Sequence, residues 1–501
     1  MVLTIDGRSA QPLGAAKQSP SSRPALLIVG GVSPSHVLGS ELALLMAEQL
    51  TADEPTEAAK TLRESFVIHI IPRVDVDGIE KAFMLNPQRE PAGNARRTDD
   101  DRDGEIGEDP PNDLNGDGLI TMMRVADKTG EYRTHPDDPR VLIKIDREKG
   151  ETGEYRLLTE GIDDDHDQQF NEDAGDGVSF IKNHPYRYPY FQPHAGEYQL
   201  SEPEYRAVAD FIFDHPNLLF VISLAPNENL VNVWKSDATT DGGIRRSPPK
   251  SDAAAFAQFS KLFQPSVDRK GQPPKADNAG GFAAWVYFHT GRWSLASAGW
   301  WPSPAEEKKK DDAKPTESRG AEELRELVSL TASGEQPFVE WTPLENHPDF
   351  PGRNVEVGGW KPFVRSHPPA KDLPPLAAKH LEFLAKLPPL LPRLALHEKR
   401  VEDLGGGLCR VTLIVRNDGG LATMPEMGKI NRQMYPLQVE LQAPAKTEFL
   451  VGHPRGQIVR IEPGGKAERE WLLRLREGAD IDRVNVELTS PIVAPLTIPL
   501  K

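Results

Sequence analysis

Three stretches of this chain place side-chain oxygens at every second residue. Asp99, Asp101 and Asp103 lead into Gly104; Asp113, Asn115 and Asp117 lead into Gly118; Asp163, Asp165 and Asp167 keep the spacing without a glycine. Oxygens at this spacing wrap around a hard cation, and calcium, which takes about 6–8 oxygen ligands, suits them. The third copy lacks the glycine that makes the sharp turn and is expected to be the weakest. One acidic turn is as readily a solvated loop as a site, but three in one segment favour calcium. Its role would be structural, because carboxylates saturated by calcium make poor catalysts.

The charge of the whole chain follows from the same segment. Residues 99–177 carry 25 Asp and Glu against 9 Lys and Arg, which accounts for nearly all of the net −17. A balance of this sign argues against a nucleic-acid partner held through its phosphates. The single cysteine, Cys409, excludes an internal disulfide framework and a cysteine-built zinc site. It sits in an alternating apolar run with no His/Asp arrangement nearby and reads as a small core residue. The longest apolar runs, 25–31 and 66–72, fall far short of the ~18 residues of a membrane span. Residues 1–7 read as a strand rather than a signal peptide, having neither a basic start nor an apolar stretch. The Lys-rich stretch 306–314 reads as a solvated loop.

The elements that must position any site come from apolar periodicity. With 501 residues, 38% of them hydrophobic, the chain has material for two or three domains of roughly 150 residues. The run at 25–31 predicts a strand, and Leu38, Leu42, Leu45, Met46 and Leu50 then recur at helical spacing. Residues 66–72 repeat the strand signal, Ser201-Glu-Pro-Glu204 opens a helix, and 218–224 is a further buried strand. Such alternation predicts an α/β sheet layered with helices. Residues 362–394 are proline-rich and read as a linker with a short helix at 376–387. Beyond them, short alternating runs separated by Asn-Asp-Gly-Gly and Pro-Gly-Gly turns predict a β-sandwich.

In order along the chain, Gly30 to Glu41, Pro72 to Gly78, Asn94 to Thr98, Gly177 to Pro185, His194 to Glu204, Ser223 to Ala225 and Trp285 to Trp301 resemble the zinc carboxypeptidase (metallocarboxypeptidase) family. The resemblance covers about residues 25–362 and is carried by the order of the motifs as well as by their residues. It implies a carboxypeptidase-like α/β/α sandwich with a mixed sheet over residues 1–361, with 99–177 as an acidic insert. The linker at 362–394 and an all-β sandwich domain at 395–501 follow.

The family's zinc site needs a His-x-x-Glu pair after the first strand and a later His at a strand end, with water in the fourth position. The positions this resemblance assigns are Ser33, His36 and Ala225. The catalytic glutamate position holds Ala298, and the Asn-Arg pair that grips a terminal carboxylate corresponds to Ile181 and Lys182. Lysine is a point charge and does not reproduce an arginine's fork. Arg96 or Arg97 stands near the family's oxyanion-stabilising arginine. The expectation is a catalytically inactive member that binds a peptide or protein, with Lys182 and Arg97 as its cations and zinc not bound.

The alternative is an active zinc metallocarboxypeptidase cleaving C-terminal residues of peptides or peptidoglycan stems, through a site rebuilt from His36 with Glu228 or His289. His69 and His184 read as packed imidazoles, and Trp285, Trp293, Trp300 and Trp301 as core rather than groove. Family members are often exported and carry elements ahead of the segment equivalent to Ala25. The short start seen here therefore implies a lost edge or a misassigned start, and localisation stays open.

Overall fold

Strands covered on both faces need no polar alternation, and the four central strands of this chain have almost none. β2 (Ala25–Val29), β3 (Val67–Ile71), β8 (Leu218–Leu224) and β11 (Trp293–Ser297) are buried at every residue and pair in parallel. β1 (Leu3–Asp6) adds an antiparallel edge, so the five-stranded mixed sheet is ordered β1-β3-β2-β8-β11. The computed structural model describes residues 1–7, 23–99, 104–171, 177–236, 240–241, 243–273, 279–303, 320–444, 447–475, 481 and 484–500. Asp101, Asp103 and the Lys-rich stretch 306–314 lie outside the described residues.

Helices α1 (Leu38–Thr51), α2 (Glu57–Ser65), α3 (Val76–Met84), α4 (Pro203–Asp214), α5 (Lys250–Val267) and the single turn α6 (Phe282–Trp285) alternate with these strands. Their buried faces complete the α/β/α layering that the periodicity predicts. A second sheet, six-stranded and antiparallel, is ordered β12-β13-β4-β7-β5-β6. It joins β4 (Met122–Ala126), β5 (Tyr132–Thr134), β6 (Leu142–Lys144) and β7 (Tyr155–Thr159) to β12 (Phe338–Leu344) and β13 (Val355–Trp360) from far downstream. The acidic insert is therefore part of a sheet with its own small core of Met123, Val125, Phe170, Val355 and Val357. A minimal hairpin, β9 (Thr240–Asp241) and β10 (Ile244–Arg245), and helix α7 (Ala321–Ala332) complete this part of the chain.

The proline-rich segment differs from the expected linker. It folds as α8 (Leu373–Leu384), with Pro374 and Pro375 in the first turn, where a missing N–H costs nothing. Leu376, Ala377, His380, Leu381, Phe383 and Leu384 are buried, and α8 packs on α1 and α5. A tether would leave Leu381 indifferent to truncation, whereas this packing predicts that Leu381→Ala costs about 2–5 kcal/mol. Denaturant unfolding of the full chain measures the difference.

The C-terminal part is all antiparallel. One sheet is β14 (Leu394–Gly405), β15 (Leu408–Asn417), β19 (Lys466–Arg474) and β17 (Glu448–Val451); the other is β18 (Arg455–Ile458), β16 (Leu437–Gln442), β20 (Asn485–Thr489) and β21 (Leu496–Pro499). Their inner residues share one core cluster with the mixed sheet. The junction is polar and buried at one point: Asp252 of α5 accepts from the N–H groups of Glu426 and Met427 at 2.8 and 2.9 Å, at the start of α9 (Glu426–Asn431), and from the Tyr287 hydroxyl at 2.7 Å.

Candidate functional site

Two glycines bring the first helix onto the sheet ends. A Cβ on Gly30 would stand 2.3 Å from the carbonyl oxygen of Gly39, and one on Gly39 would stand 2.4 Å from that of Leu224. With no side chain at either place, the start of α1 lies directly over the C-terminal ends of β2 and β8, where α/β sheets place their ligands. The segment between β2 and α1 carries Ser33 and His36 into this crossing, both buried, and Ala225 follows β8 immediately.

At these positions the donors are already engaged or absent. Ser33 Oγ shares a 2.8 Å hydrogen bond with Ser35 Oγ. His36 Nε2 donates to the main-chain oxygen of Ala298 at 2.9 Å, tying the second assigned ligand position to the assigned base position. Ala225 and Ala298 offer only methyl groups. His36 Nδ1 is buried without a hydrogen-bond partner among the described residues. Burial, helped by the nearby His367, pushes the His36 pKa down to about 4, so the ring is neutral at neutral pH.

One imidazole nitrogen does not meet the three protein ligands of a catalytic zinc, and the residues present do not fit that ion. Glu228 is equally committed, its carboxylate accepting from the N–H groups of Leu230, Val231 and Asn232 at 2.6–2.8 Å. His289 stands edge-on to Tyr186, 6.2 Å away. Among the described residues, the one grouping of three metal-competent side chains is Asp163, Asp165 and Asp167, in the insert.

A cleft of about 470 Å³ lies beside Arg96 and Arg97, walled by Tyr188, Tyr190, Phe191 and His194. Arg97 donates to the Ile106 carbonyl at 3.1 Å. Arg96 is clamped between Glu202 at 2.8 Å and Glu197 at 2.5 Å, which raises its pKa further. Lys182 reaches the carbonyl of Pro193, a wall residue, at 3.3 Å. Arg97 thus lines the cleft, whereas Lys182 is not one of its lining residues and meets it through the Pro193 carbonyl. Tyr190 and Phe191 are 63% and 78% exposed there, so an apolar ligand surface stands uncovered in the chain itself.

The network that holds Arg96 was not anticipated, although its pieces stood in the motifs at 94–97 and 201–204. Asn94 is buried, donates to Glu202 and Glu204 at 3.1 Å, and accepts from the N–H groups of Arg96 and Val178. Asp75 caps α3 through the Gly78 N–H at 2.9 Å and lies 3.4 Å from the Tyr205 hydroxyl. Burial, with Glu204 adding repulsion, pushes its pKa up to about 7.

That proton is bound in the folded state but absent from the unfolded chain between about pH 4 and 7. Its contribution is therefore complete at acid pH and lost as pH rises through 7. Asp75→Asn keeps the cap without the charge. It is expected to gain ~2–4 kcal/mol on the parent chain between pH 5 and pH 8, measured by urea unfolding at both.

Other expectations are met by packing. His184 is buried among Phe180, Phe282 and Trp285, with Nδ1 donating to the Phe180 carbonyl at 2.8 Å. Trp285, Trp293, Trp300 and Trp301 are all core. His69 is buried on β3, next to the edge strand β1, and bonded to Thr4 Oγ1 at 3.0 Å. No helix of the described residues is long and apolar enough to cross a membrane.

The family described as zinc carboxypeptidase matches residues 1–297, and the chain belongs to that family. Residues 393–497 match a domain of unknown function. No match is found among the curated proteins. Among solved structures the chain is similar to thrombin activatable fibrinolysis inhibitor (TM-score 0.34, 12% identity, 77% of this chain and 64% of that one). It is also similar to the bovine form of that protein in complex with tick carboxypeptidase inhibitor (0.29, 13%, 74% and 82%). A third is carboxypeptidase A from Helicoverpa armigera (0.29, 12%, 55% and 51%). The match thus spans less than two thirds of the first and third of these proteins, and no residue role is carried over from any of them.

Proposed function

We propose that this member of the zinc carboxypeptidase family binds peptides or proteins through the cleft beside Arg97 and does not hydrolyse them. The observation that carries the reading is the hydrogen bond from His36 Nε2 to the Ala298 carbonyl. It ties together the positions that the resemblance assigns to a second zinc ligand and a general base, and the two other assigned ligand positions hold a serine already bonded to Ser35 and an alanine. Without a metal-bound water or a carboxylate base, a bound peptide has no nucleophile to meet. The competing reading, an active zinc metallocarboxypeptidase cleaving C-terminal residues of peptides or peptidoglycan stems, is favoured by family membership alone. Calcium belongs to the proposal as a structural ion of the acidic insert.

The ligand class follows from the walls of the cleft. Exposed aromatic rings offer apolar contact, and Arg97 in the cleft wall, with Lys182 behind Pro193, offers positive charge to a terminal or side-chain carboxylate. Calorimetric titration with peptides bearing free or amidated C-termini is expected to give weak binding that amidation, Arg97→Ala or raised salt reduces. Absence of heat with every peptide at millimolar concentration would leave the cleft without this role.

A further inference from the structure

Calcium in the insert was expected at three loops, with the third the weakest because it lacks a glycine. The structure reverses that ranking among the described residues. The third loop obtains its left-handed turns without glycine, His166, Gln168 and Asn171 standing at φ 71°, 75° and 61°. One carboxylate oxygen from each of Asp163, Asp165 and Asp167 then lies within 4.8 Å of the others.

Asp163 Oδ2 accepts from the Gln168 N–H, Asp165 Oδ1 from the Asp167 N–H and both Asp167 oxygens from Gln169, but two of these carboxylates each keep one oxygen with no hydrogen-bond donor among the described residues. Asp163 is only 8% exposed, and its Oδ1 is buried with no hydrogen-bond partner; Asp165 Oδ2 is in the same condition. A buried carboxylate oxygen without a donor is costly, more so beside other carboxylates, and a cation removes both costs at once. The second loop contrasts with this. Both oxygens of Asp113 are taken by main-chain donors, Oδ1 by Gly116 and Asp117 and Oδ2 by Gly118, at 2.8–3.2 Å.

We infer that Asp163, Asp165 and Asp167 form the principal divalent-cation site of the chain, with calcium as its ion. The inference rests on the structural-ion part of the reading above and assigns it to one loop. Ligands about 2.4 Å from a calcium ion stand up to about 4.8 Å apart across it, so the spacing of the three carboxylates accommodates calcium. The ion would act on the fold through its neighbours. The Asp163 N–H donates to Asp349 Oδ2 at 3.1 Å, and Phe170 stacks on Phe350 at 5.9 Å. Both contacts join the loop to the turn between β12 and β13, so ordering the loop fastens the insert to the strands that complete its sheet.

Calorimetric titration of the chelator-treated full chain with calcium chloride alone tests the assignment, with the melting temperature read in parallel. The parent chain is expected to bind calcium and melt higher with it. Asp165→Asn and Asp167→Asn are each expected to weaken the tightest site at least about tenfold, because each removes a full ligand charge. Both residues are half-buried, so the melting curve without calcium reads whether each variant keeps the fold, while Asp113→Asn and Asp101→Asn are expected to leave the tightest site unchanged. Calcium binding that survives in both third-loop variants, or disappears with the first- or second-loop variant, would overturn the assignment and leave a structural ion elsewhere in the insert. No calcium heat and no melting shift in the parent chain would overturn both.

Discussion

Ser33→His, His36→Glu, Ala225→His and Ala298→Glu introduced together are expected to give a chain that keeps one zinc ion through dialysis, where the parent chain keeps none. The backbone needed is present: the crossing of α1 over β2 and β8 places positions 33, 36 and 225 at the same sheet ends, with 298 one hydrogen bond from 36. Replacing His36 also frees the Ala298 carbonyl from its present bond. Two imidazoles in buried positions cost ~1–3 kcal/mol each in overpacking. Two imidazoles and a carboxylate complete the three protein ligands a catalytic zinc requires, and zinc bound only to the folded chain offsets that cost by mass action. Zinc content per folded chain is the measurement. A folded variant without zinc would mean that these four positions do not converge and that their assignment is mistaken.

The second large effect is acid lability from buried neutral histidines. Burial pushes His184 down to about 3, and burial pushes His36 and His69 each down to about 4, with His367 and His215 respectively adding to the shift. In the unfolded chain these rings take up a proton near pH 6.5, while the folded chain leaves them neutral. Their contribution is therefore whole above that pH and falls as pH drops toward 4. Each is worth ~2–4 kcal/mol across the window, a large part of a typical ~5–15 kcal/mol stability. The expected result is that these three rings raise the midpoint pH of acid unfolding, against the opposite contributions of Asp75 and Glu228 over the same range.

His184→Phe should move that midpoint to lower pH. It keeps a ring against Phe180, Phe282 and Trp285, removes the group that must charge, and also removes the unpartnered His184 Nε2. Circular dichroism followed from pH 7 to pH 3 reads both midpoints. An unchanged midpoint in the variant would place the acid sensitivity elsewhere.

Much of the mixed sheet was legible because its strands are uninterrupted apolar runs and α1 repeats leucines at helical spacing. The second sheet was not, since β4 and β7 are interrupted by polar residues and β4 finds its other neighbour, β13, far down the chain. Composition also misled at α8. Pro374 and Pro375 read as linker residues, yet at a helix start they are compatible with the buried face that follows.

For the site, residue types alone carried the expectation that the positions the resemblance assigns to ligands and base lack their side chains. They did not disclose that His36 bonds to the main chain of Ala298, which depends on how two distant loops meet. The third acidic loop turns without glycine for a conformational reason. Asn and His tolerate the left-handed region well enough to turn a loop when the surrounding packing holds them there.

The central claim, that the family fold here carries a binding cleft without a working metal centre, is tested most directly on the unmodified chain. Zinc is quantified by elemental analysis after dialysis against metal-free buffer, and release of C-terminal residues from free-carboxylate peptides is followed with zinc added back. The account predicts far less than one zinc per chain and hydrolysis no faster than buffer. One zinc per chain, lost in His36→Ala together with a chelator-sensitive turnover, would contradict it.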